Sequence, residues 1–138
     1  MTATLLALDT SATVPLLHRG HDSHAATHDA VAGWELALTG HSLAETYSVL
    51  TRLPGHQRLA PADAARLIRS RFLTVLTLPP ETAARVHLIC SEAGIHGGAV
   101  YDGLVGLAAR AHGAVLGTRD ARAVGTYEAL GVEVRILS

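Results

Sequence analysis

The sequence predicts an α/β fold: a parallel five-stranded sheet with helices on both faces, as a single domain over residues 1–138. Two observations carry this. Short apolar runs alternate with longer helix-forming stretches from end to end, and the connections between them are short. Strand–helix–strand units close as parallel, right-handed crossovers, so their repetition builds one sheet covered on both sides. No repeat, low-complexity tract or linker interrupts the pattern.

The elements follow in order. Residues 5–9 (Leu-Leu-Ala-Leu-Asp) read as the first strand. Residues 12–18 form a short helix, in which Pro15 is tolerable near the first turn. A second helix spans 21–31, and a strand over 35–39 ends at Gly40. A helix over 43–53 stops at Pro54-Gly55, and the next, over 62–72, opens after Pro61. The strand over 75–78 ends at Pro79-Pro80. Helices over 81–93 and 99–112 are closed by Gly94 and Gly113. A strand over 114–118, a helix over 121–130 closed by Gly131 and a last strand over 132–136 complete the chain.

Composition narrows the function. At 138 residues with 49% apolar content, the chain can bury one core. Its single cysteine, Cys90, excludes an internal disulfide and reads as a buried, inert thiol. The opening Met-Thr-Ala-Thr lacks a basic leader and no apolar run is long enough to span a bilayer, so the expectation is a cytoplasmic protein without a membrane partner. The net charge of −1 gives no bulk signal for nucleic acid. All 11 basic residues are arginine. Without lysine there is no Walker A loop, and phosphoryl-acceptor or dehalogenase-like phosphatase domains, which keep a lysine beside their aspartates, are disfavoured.

The chemistry lies in four acids. Asp9 and Asp120 follow apolar runs that read as strands, whereas Glu45 and Asp102 fall in the first turns of predicted helices. In an open parallel sheet, strand C-termini and helix N-termini meet at one edge, where ligands bind. Each acid also has a plainer reading. Asp9 and Asp120 could cap helices, Ser42-Leu43-Ala44-Glu45 matches a capping box, and Asp102 suits a helix dipole. As a set they are harder to dismiss. Two carboxylates ~4 Å apart repel by roughly 4 kcal/mol at an effective dielectric of about 20, so gathered acids call for a cation, and oxygen donors suit Mg²⁺ or Mn²⁺. Asp102 borders an apolar stripe of Tyr101, Leu104, Val105 and Ala108 at helical spacing, with small Gly106 and Ala109 on its own row. Small residues there would let another backbone approach the carboxylate.

Taken in order, Leu8-Asp9-Thr10-Ser11-Ala12, Ser42-Leu43-Ala44-Glu45, Tyr101-Asp102-Gly103-Leu104-Val105, Thr118-Arg119-Asp120-Ala121-Arg122 and Thr126-Tyr127-Glu128-Ala129-Leu130-Gly131-Val132 resemble a PIN domain. The narrower resemblance is to the VapC-type toxin ribonucleases of type II toxin–antitoxin pairs. It covers essentially the whole chain, and the ordered set is more specific than any one motif. It implies a Rossmann-like sheet, a Mg²⁺ or Mn²⁺ site and endonucleolytic cleavage of RNA. It also implies a cognate VapB-type antitoxin and a homodimer. Carried over by position, Asp9, Glu45, Asp102 and Asp120 become the catalytic and metal-binding acids, and Thr118 the hydroxyl residue two before the last of them. Gly103 and Gly117 depart from the usual alanine and larger apolar residue, which bears on rigidity more than on reaction class.

The expected chemistry is hydrolysis at a phosphodiester, with a metal that activates water and neutralises charge on the phosphate. Asp9 and Asp102 are the strongest direct ligands; Glu45 and Asp120 act directly or through water. Arg52, Arg119 and Arg122 are candidates to hold RNA phosphates, with ordinary surface arginines or contacts to a protein partner as the alternative. An antitoxin is expected along the helices at 12–18 and 43–53, with a basic side chain reaching the acids. His18, His21, His24 and His28 invite a zinc reading but lack accompanying ligands and read as a solvated face. Gly94-Ile95-His96-Gly97-Gly98 lacks dinucleotide-loop spacing and leads into the Asp102 helix. Two other functions compete: a degenerate PIN domain serving protein interaction, and a metal-dependent phosphatase or phosphoryl-acceptor domain of similar sheet.

Overall fold

In the computed structural model, which describes residues 4–137, five strands form one parallel sheet. They are β1 (Leu5–Leu8), β2 (Glu35–Thr39), β3 (Thr74–Leu76), β4 (Val115–Thr118) and β5 (Val134–Ile136), lying side by side in the order β3-β2-β1-β4-β5. The expected lack of a basic leader falls largely on residues 1–3, outside the described residues. The helices are α1 (Thr10–Leu17), α2 (His24–Ala30), α3 (Gly40–Leu50), α4 (Pro61–Arg71), α5 (Pro80–Ala83), α6 (Val86–Ala93), α7 (Ala99–Ala111) and α8 (Val124–Ala129). Among the described residues no helix is long and apolar enough to cross a membrane.

Successive strand side chains point to opposite faces, and each face has its own core. Leu6, Leu8, Leu38 and Val115 pack with Ala12 and Leu16 of α1, Leu50 of α3, and Ile68 and Phe72 at the end of α4. Ala7, Ala37 and Leu116 pack with Cys90 of α6, Val105 and Leu107 of α7, and Tyr127 of α8. The chain winds outward from β1 through β2 to β3, then crosses to β4 on the other side of β1. The strand order therefore reverses between β1 and β4, and the crevice of an open α/β sheet opens at the strand C-termini there.

Several helix boundaries differ from the sequence expectation. Asp9 caps α1, its carboxylate accepting from the Ala12 amide at 3.3 Å, so the helix starts at Thr10. Pro15 then lies beyond the first turn and removes one helical hydrogen bond from an eight-residue helix. The cap of α3 is Thr39, whose hydroxyl oxygen accepts from the Ser42 amide at 3.2 Å, not Ser42 itself. Strand β2 thus runs directly into α3, which starts three residues earlier than the capping box would place it. The expected helix over 81–93 is broken at Ala84-Arg85 into α5 and α6, with nothing in the sequence to mark the break. Residues 121–123 form turns, and α8 begins at Val124.

The stripe on α7 is also rotated from its expected position. Its buried residues are Gly103, Val105, Gly106, Leu107, Ala108 and Ala109, while Tyr101 is 59% exposed. Gly106 faces the side chains of Tyr127, Leu130 and Val132 rather than another backbone. Packing accounts for the two glycine departures. A Cβ at Gly117 would lie 2.9 Å from Leu8 and 3.0 Å from Leu137, and one at Gly103 would lie 3.3 Å from the Cys90 sulfur. Both glycines make room for larger neighbours.

Candidate active site

Asp9, Glu45, Asp102 and Asp120 line one cleft of about 210 Å³, together with Thr10, Ser11, Val49 and Val105. Four separate elements deliver them. Asp9 follows β1 immediately, and Asp120 lies two residues past β4, the neighbouring strand. Asp102 stands in the first turn of α7. Glu45 lies in the second turn of α3, not the first, because α3 begins at Gly40. Glu45 makes no capping-box contact; the Thr10 hydroxyl donates to its Oε1 across the cleft.

Beneath the cleft, hydroxyl groups tie the β1 acid to the β4 acid. The Ser11 hydroxyl donates to Asp9 Oδ1 at 2.6 Å, which commits its only proton. Ser11 Oγ and Thr118 Oγ1 lie 3.2 Å apart, so Thr118 is the donor in that pair. Thr118 Oγ1 in turn accepts the Asp120 amide at 3.0 Å, and Ser11 Oγ accepts the Arg119 amide at 2.8 Å. The result is a directed chain from Asp120 N–H through Thr118 and Ser11 to Asp9. Thr118 is fully buried and lies under the cleft rather than in its lining, which suits a positioning role. On the other oxygen of Asp9, the Tyr127 phenol donates to Oδ2 at 2.8 Å.

The electrostatics record the crowding of the acids. Burial holds the Asp102 carboxyl above the ordinary carboxylate range, and the charges of Asp9, Asp120 and Glu45 push it further up, against a smaller opposing pull from His41. Tyr127 is raised as well, first by burial, then by the Asp9 charge and its hydrogen bond to Asp9. That phenol stays protonated and serves as a fixed donor.

Hard oxygen donors with mutual repulsion suit a divalent cation such as Mg²⁺ or Mn²⁺. Among the described residues no group of three His, Cys, Asp or Glu side chains is closed up as a ready-made metal cage. An open set of acids around a cleft fits an ion that keeps several waters and takes only one or two carboxylates directly. Asp9, Glu45, Asp102 and Asp120 all stand on the walls of this cleft.

The three arginines singled out from the sequence are engaged locally. Arg119 donates to Ser23 Oγ at 2.8 Å, Arg122 pairs with Asp120 at 3.3 Å, and Arg52, beyond the end of α3, donates to Ser48 at 2.7 Å. Only Arg122 reaches an acid of the cleft, and its side chain is otherwise solvent-exposed. The His24 and His28 rings lie 6.2 Å apart, but among the described residues no three histidines gather as a ligand group. His21 Nδ1 accepts from the Ser23 amide, His24 Nδ1 lies 2.9 Å from the Pro15 carbonyl, and His21 precedes α2 rather than sharing its face.

Sequence reasoning missed Tyr127, Ser11 and Thr10. Tyr127 had a signal: a tyrosine at helical spacing from Ala123 and Leu130 falls on a buried face, and a buried phenol seeks a partner. Ser11, two residues after Asp9, is a short-range hydroxyl partner of the kind that caps and turns favour. The Thr10–Glu45 contact depends on how α1 and α3 pack, and no local pattern announces it.

The profile of the PIN domain family matches residues 6–128. Ribonuclease VapC27 of Mycobacterium tuberculosis is 56% identical over 132 residues, covering 94% of this chain and 94% of the relative. Ribonuclease VapC40 of the same species is 42% identical over 138 residues, covering 97% of this chain and 100% of the relative. Among solved structures, VapBC2 from Rickettsia felis, bound to a DNA fragment from its promoter, matches with a TM-score of 0.70 at 15% identity over 98% of this chain and 100% of that one. At that identity the likeness is one of fold.

Proposed function

The chain belongs to the PIN-domain family, and within it to the VapC type; from that membership we propose that it is a Mg²⁺- or Mn²⁺-dependent endoribonuclease acting as the toxin of a toxin–antitoxin pair in the cytoplasm. One observation carries the catalytic part: acids from four separate elements line a single cleft at the switch point of the sheet. The names of the relatives, both ribonucleases, support the substrate class.

Asp9 and Asp102 would hold the metal, with Glu45 and Asp120 completing its shell directly or through water. When bound, the ion supplies a more acidic water and neutralises charge on the scissile phosphate. The chain's own residues do the positioning. Ser11 and Tyr127 fix the two oxygens of Asp9, and Thr118 links that carboxylate to the backbone of Asp120. Thr10 fixes Glu45. Carboxylates held this way need little reorganisation as charge develops in the transition state.

The proposed protein partner is a VapB-type antitoxin, and a homodimer is the proposed assembly of the toxin. The expected antitoxin track along α1 is not available, because Ala12, Leu16 and Leu17 are buried in the core. An apolar groove lies instead between α3, α4 and β3. There Leu43, Tyr47, Ile68, Phe72, Leu73 and Val75 line a groove of about 530 Å³, and the antitoxin is proposed to dock in it.

The decisive test is purified protein incubated with RNA and Mg²⁺ beside its Asp9→Asn variant. Cleavage that needs the metal and fails in the variant, at matched circular dichroism, is the expected result. Equal cleavage by both, or none by the parent protein over a range of RNAs, would sink the proposal.

A further inference from the structure

The cleft has an aromatic rim that the chemistry so far leaves unused. Tyr101 precedes Asp102 at the start of α7, and His41 lies on α3 one turn before Glu45. Residues four apart on a helix share a face, so His41 and Glu45 are neighbours on α3. The two rings stack across the gap between the helices, with centroids 5.8 Å apart and planes inclined by 15°. Tyr101 nevertheless keeps 59% of its surface exposed. At that separation the pair is offset rather than fully overlapped, so His41 supports the ring while much of it stays open to solvent.

We propose that Tyr101, backed by His41, is a stacking platform for an unpaired nucleobase next to the phosphate bound at the acidic cleft. The inference rests on the RNA-cleaving reading and deepens it. A cleft lined by four acids repels a polyanion, and Arg119, Arg122 and Arg52 are engaged with Ser23, Asp120 and Ser48. Beside the attraction of a bound cation, contacts that carry no charge then add hold on the strand. Base–aromatic stacking is such a contact, and single-stranded RNA is the substrate whose bases are free to splay onto it. A ring already held parallel to a second ring loses little conformational freedom on binding. A platform beside Asp102 and Glu45 would seat the flanking nucleotide so that its phosphate enters the cleft. Since every base has a π-face, the platform selects for an unpaired nucleotide over a paired one and leaves base identity largely open.

The test uses the Asp9→Asn background, so that bound RNA stays intact, and a short fluorescein-labelled single-stranded RNA of mixed sequence read by anisotropy. Tyr101→Ala is expected to weaken binding by about 5- to 150-fold, the range that loss of one stacked base gives. Tyr101→Phe restores it, and pairing the RNA with its complement abolishes the difference between Tyr101 and Ala. In protein with Asp9 intact, Mn²⁺ affinity by calorimetry is unchanged by Tyr101→Ala. Equal RNA binding by Tyr101→Ala overturns the platform. So does a loss of binding that tracks dissociation of a dimer in sedimentation, which would make Tyr101 a protein contact. If the parent protein cleaves RNA and Tyr101→Ala binds it normally, only the platform fails. If the parent protein neither binds nor cleaves, the ribonuclease reading fails with it.

Discussion

The phenol of Tyr127 donates to Asp9 Oδ2 at 2.8 Å from a side chain with no solvent exposure, so the floor of the acidic cleft is held by a residue of α8, at the far end of the chain. The remaining oxygen of Asp9 takes Ser11 and the Ala12 amide. Both oxygens therefore have fixed donors before any ion arrives.

Tyr127→Phe removes one oxygen and leaves the core filled. A buried carboxylate oxygen then loses its donor, at a cost of about 1–3 kcal/mol in urea unfolding with EDTA present. The carboxylate keeps Ser11 and the Ala12 amide on one oxygen but loses its hold on the other, and Mn²⁺ should bind about 10-fold more weakly, as happens when outer partners of a ligand are removed. Wild-type Mn²⁺ affinity in a folded Tyr127→Phe protein would show that the hydrogen bond is only structural.

Asp102 gives a pH dependence whose sign can be worked out. Its folded carboxyl is raised above the ordinary 3.8, chiefly by burial and then by Asp9, Asp120 and Glu45. The folded state therefore binds more protons than the unfolded one above that value, and the penalty of the charged form grows as pH rises through the shifted range. Below 3.8 both states are protonated and the penalty is absent. With EDTA at pH 7, Asp102→Asn should melt at a higher temperature than the parent, with the gap closing toward acid. Millimolar Mg²⁺ should reverse the order, because only the parent keeps the full set of anionic donors. An unchanged gap from pH 7 to pH 4, or indifference to Mg²⁺, would contradict a crowded, metal-binding site.

Glu45 separates charge from hydrogen bonding. It accepts from Thr10 and takes no part in capping α3, which Thr39 does. Glu45→Gln can still accept that bond while losing its charge, so stability should stay within about 0.5 kcal/mol, as for ordinary surface substitutions. RNA cleavage should fall at least ~10-fold, the size of effect expected when one charged group at a metal site is lost. Activity retained in Glu45→Gln across a Mg²⁺ titration would leave Glu45 as a hydroxyl partner alone.

The alternation of strands and helices was legible because apolar runs and glycine or proline breaks are local signals. All five strands lie where the sequence puts them, within a residue or two at either end. The edge on which the acids meet was legible too, since strand ends and helix starts share it by topology. Boundaries went astray where two residues competed for one role. Thr39 and Ser42 both offer a hydroxyl near the start of α3, and the chain uses the earlier one, which moved Glu45 into the second turn. Tyr101 went astray for a different reason. Helical periodicity put it in the core, but α7 packs through Gly106 against Tyr127 of α8 and through Gly103 against Cys90 of α6, and Tyr101 lies outside that face, beside His41. Partners such as Tyr127 and Asp9 are 118 residues apart, a distance over which no spacing rule operates.

The groove between α3, α4 and β3 is the surface proposed to receive the antitoxin. Leu73 stands at its lip, 91% exposed beside Phe72, whose side chain is buried. A leucine presented to water in this way adds nothing to the core, so Leu73→Asp should leave the melting temperature of the isolated protein nearly unchanged. It lies outside the lining of the acidic cleft, and cleavage of RNA by the purified variant should match the parent. What it should lose is restraint. An apolar antitoxin segment would have to bury a carboxylate at the groove, where Arg69 of the lining offsets part of the charge; a polar group buried with partial compensation costs about 1–3 kcal/mol, or about 5- to 150-fold in affinity. Cells expressing the parent protein should arrest and recover when the antitoxin is co-expressed; cells expressing Leu73→Asp should arrest and fail to recover. Recovery equal to the parent, with antitoxin copurifying, would remove this groove from the antitoxin interface and leave the nuclease assignment untouched.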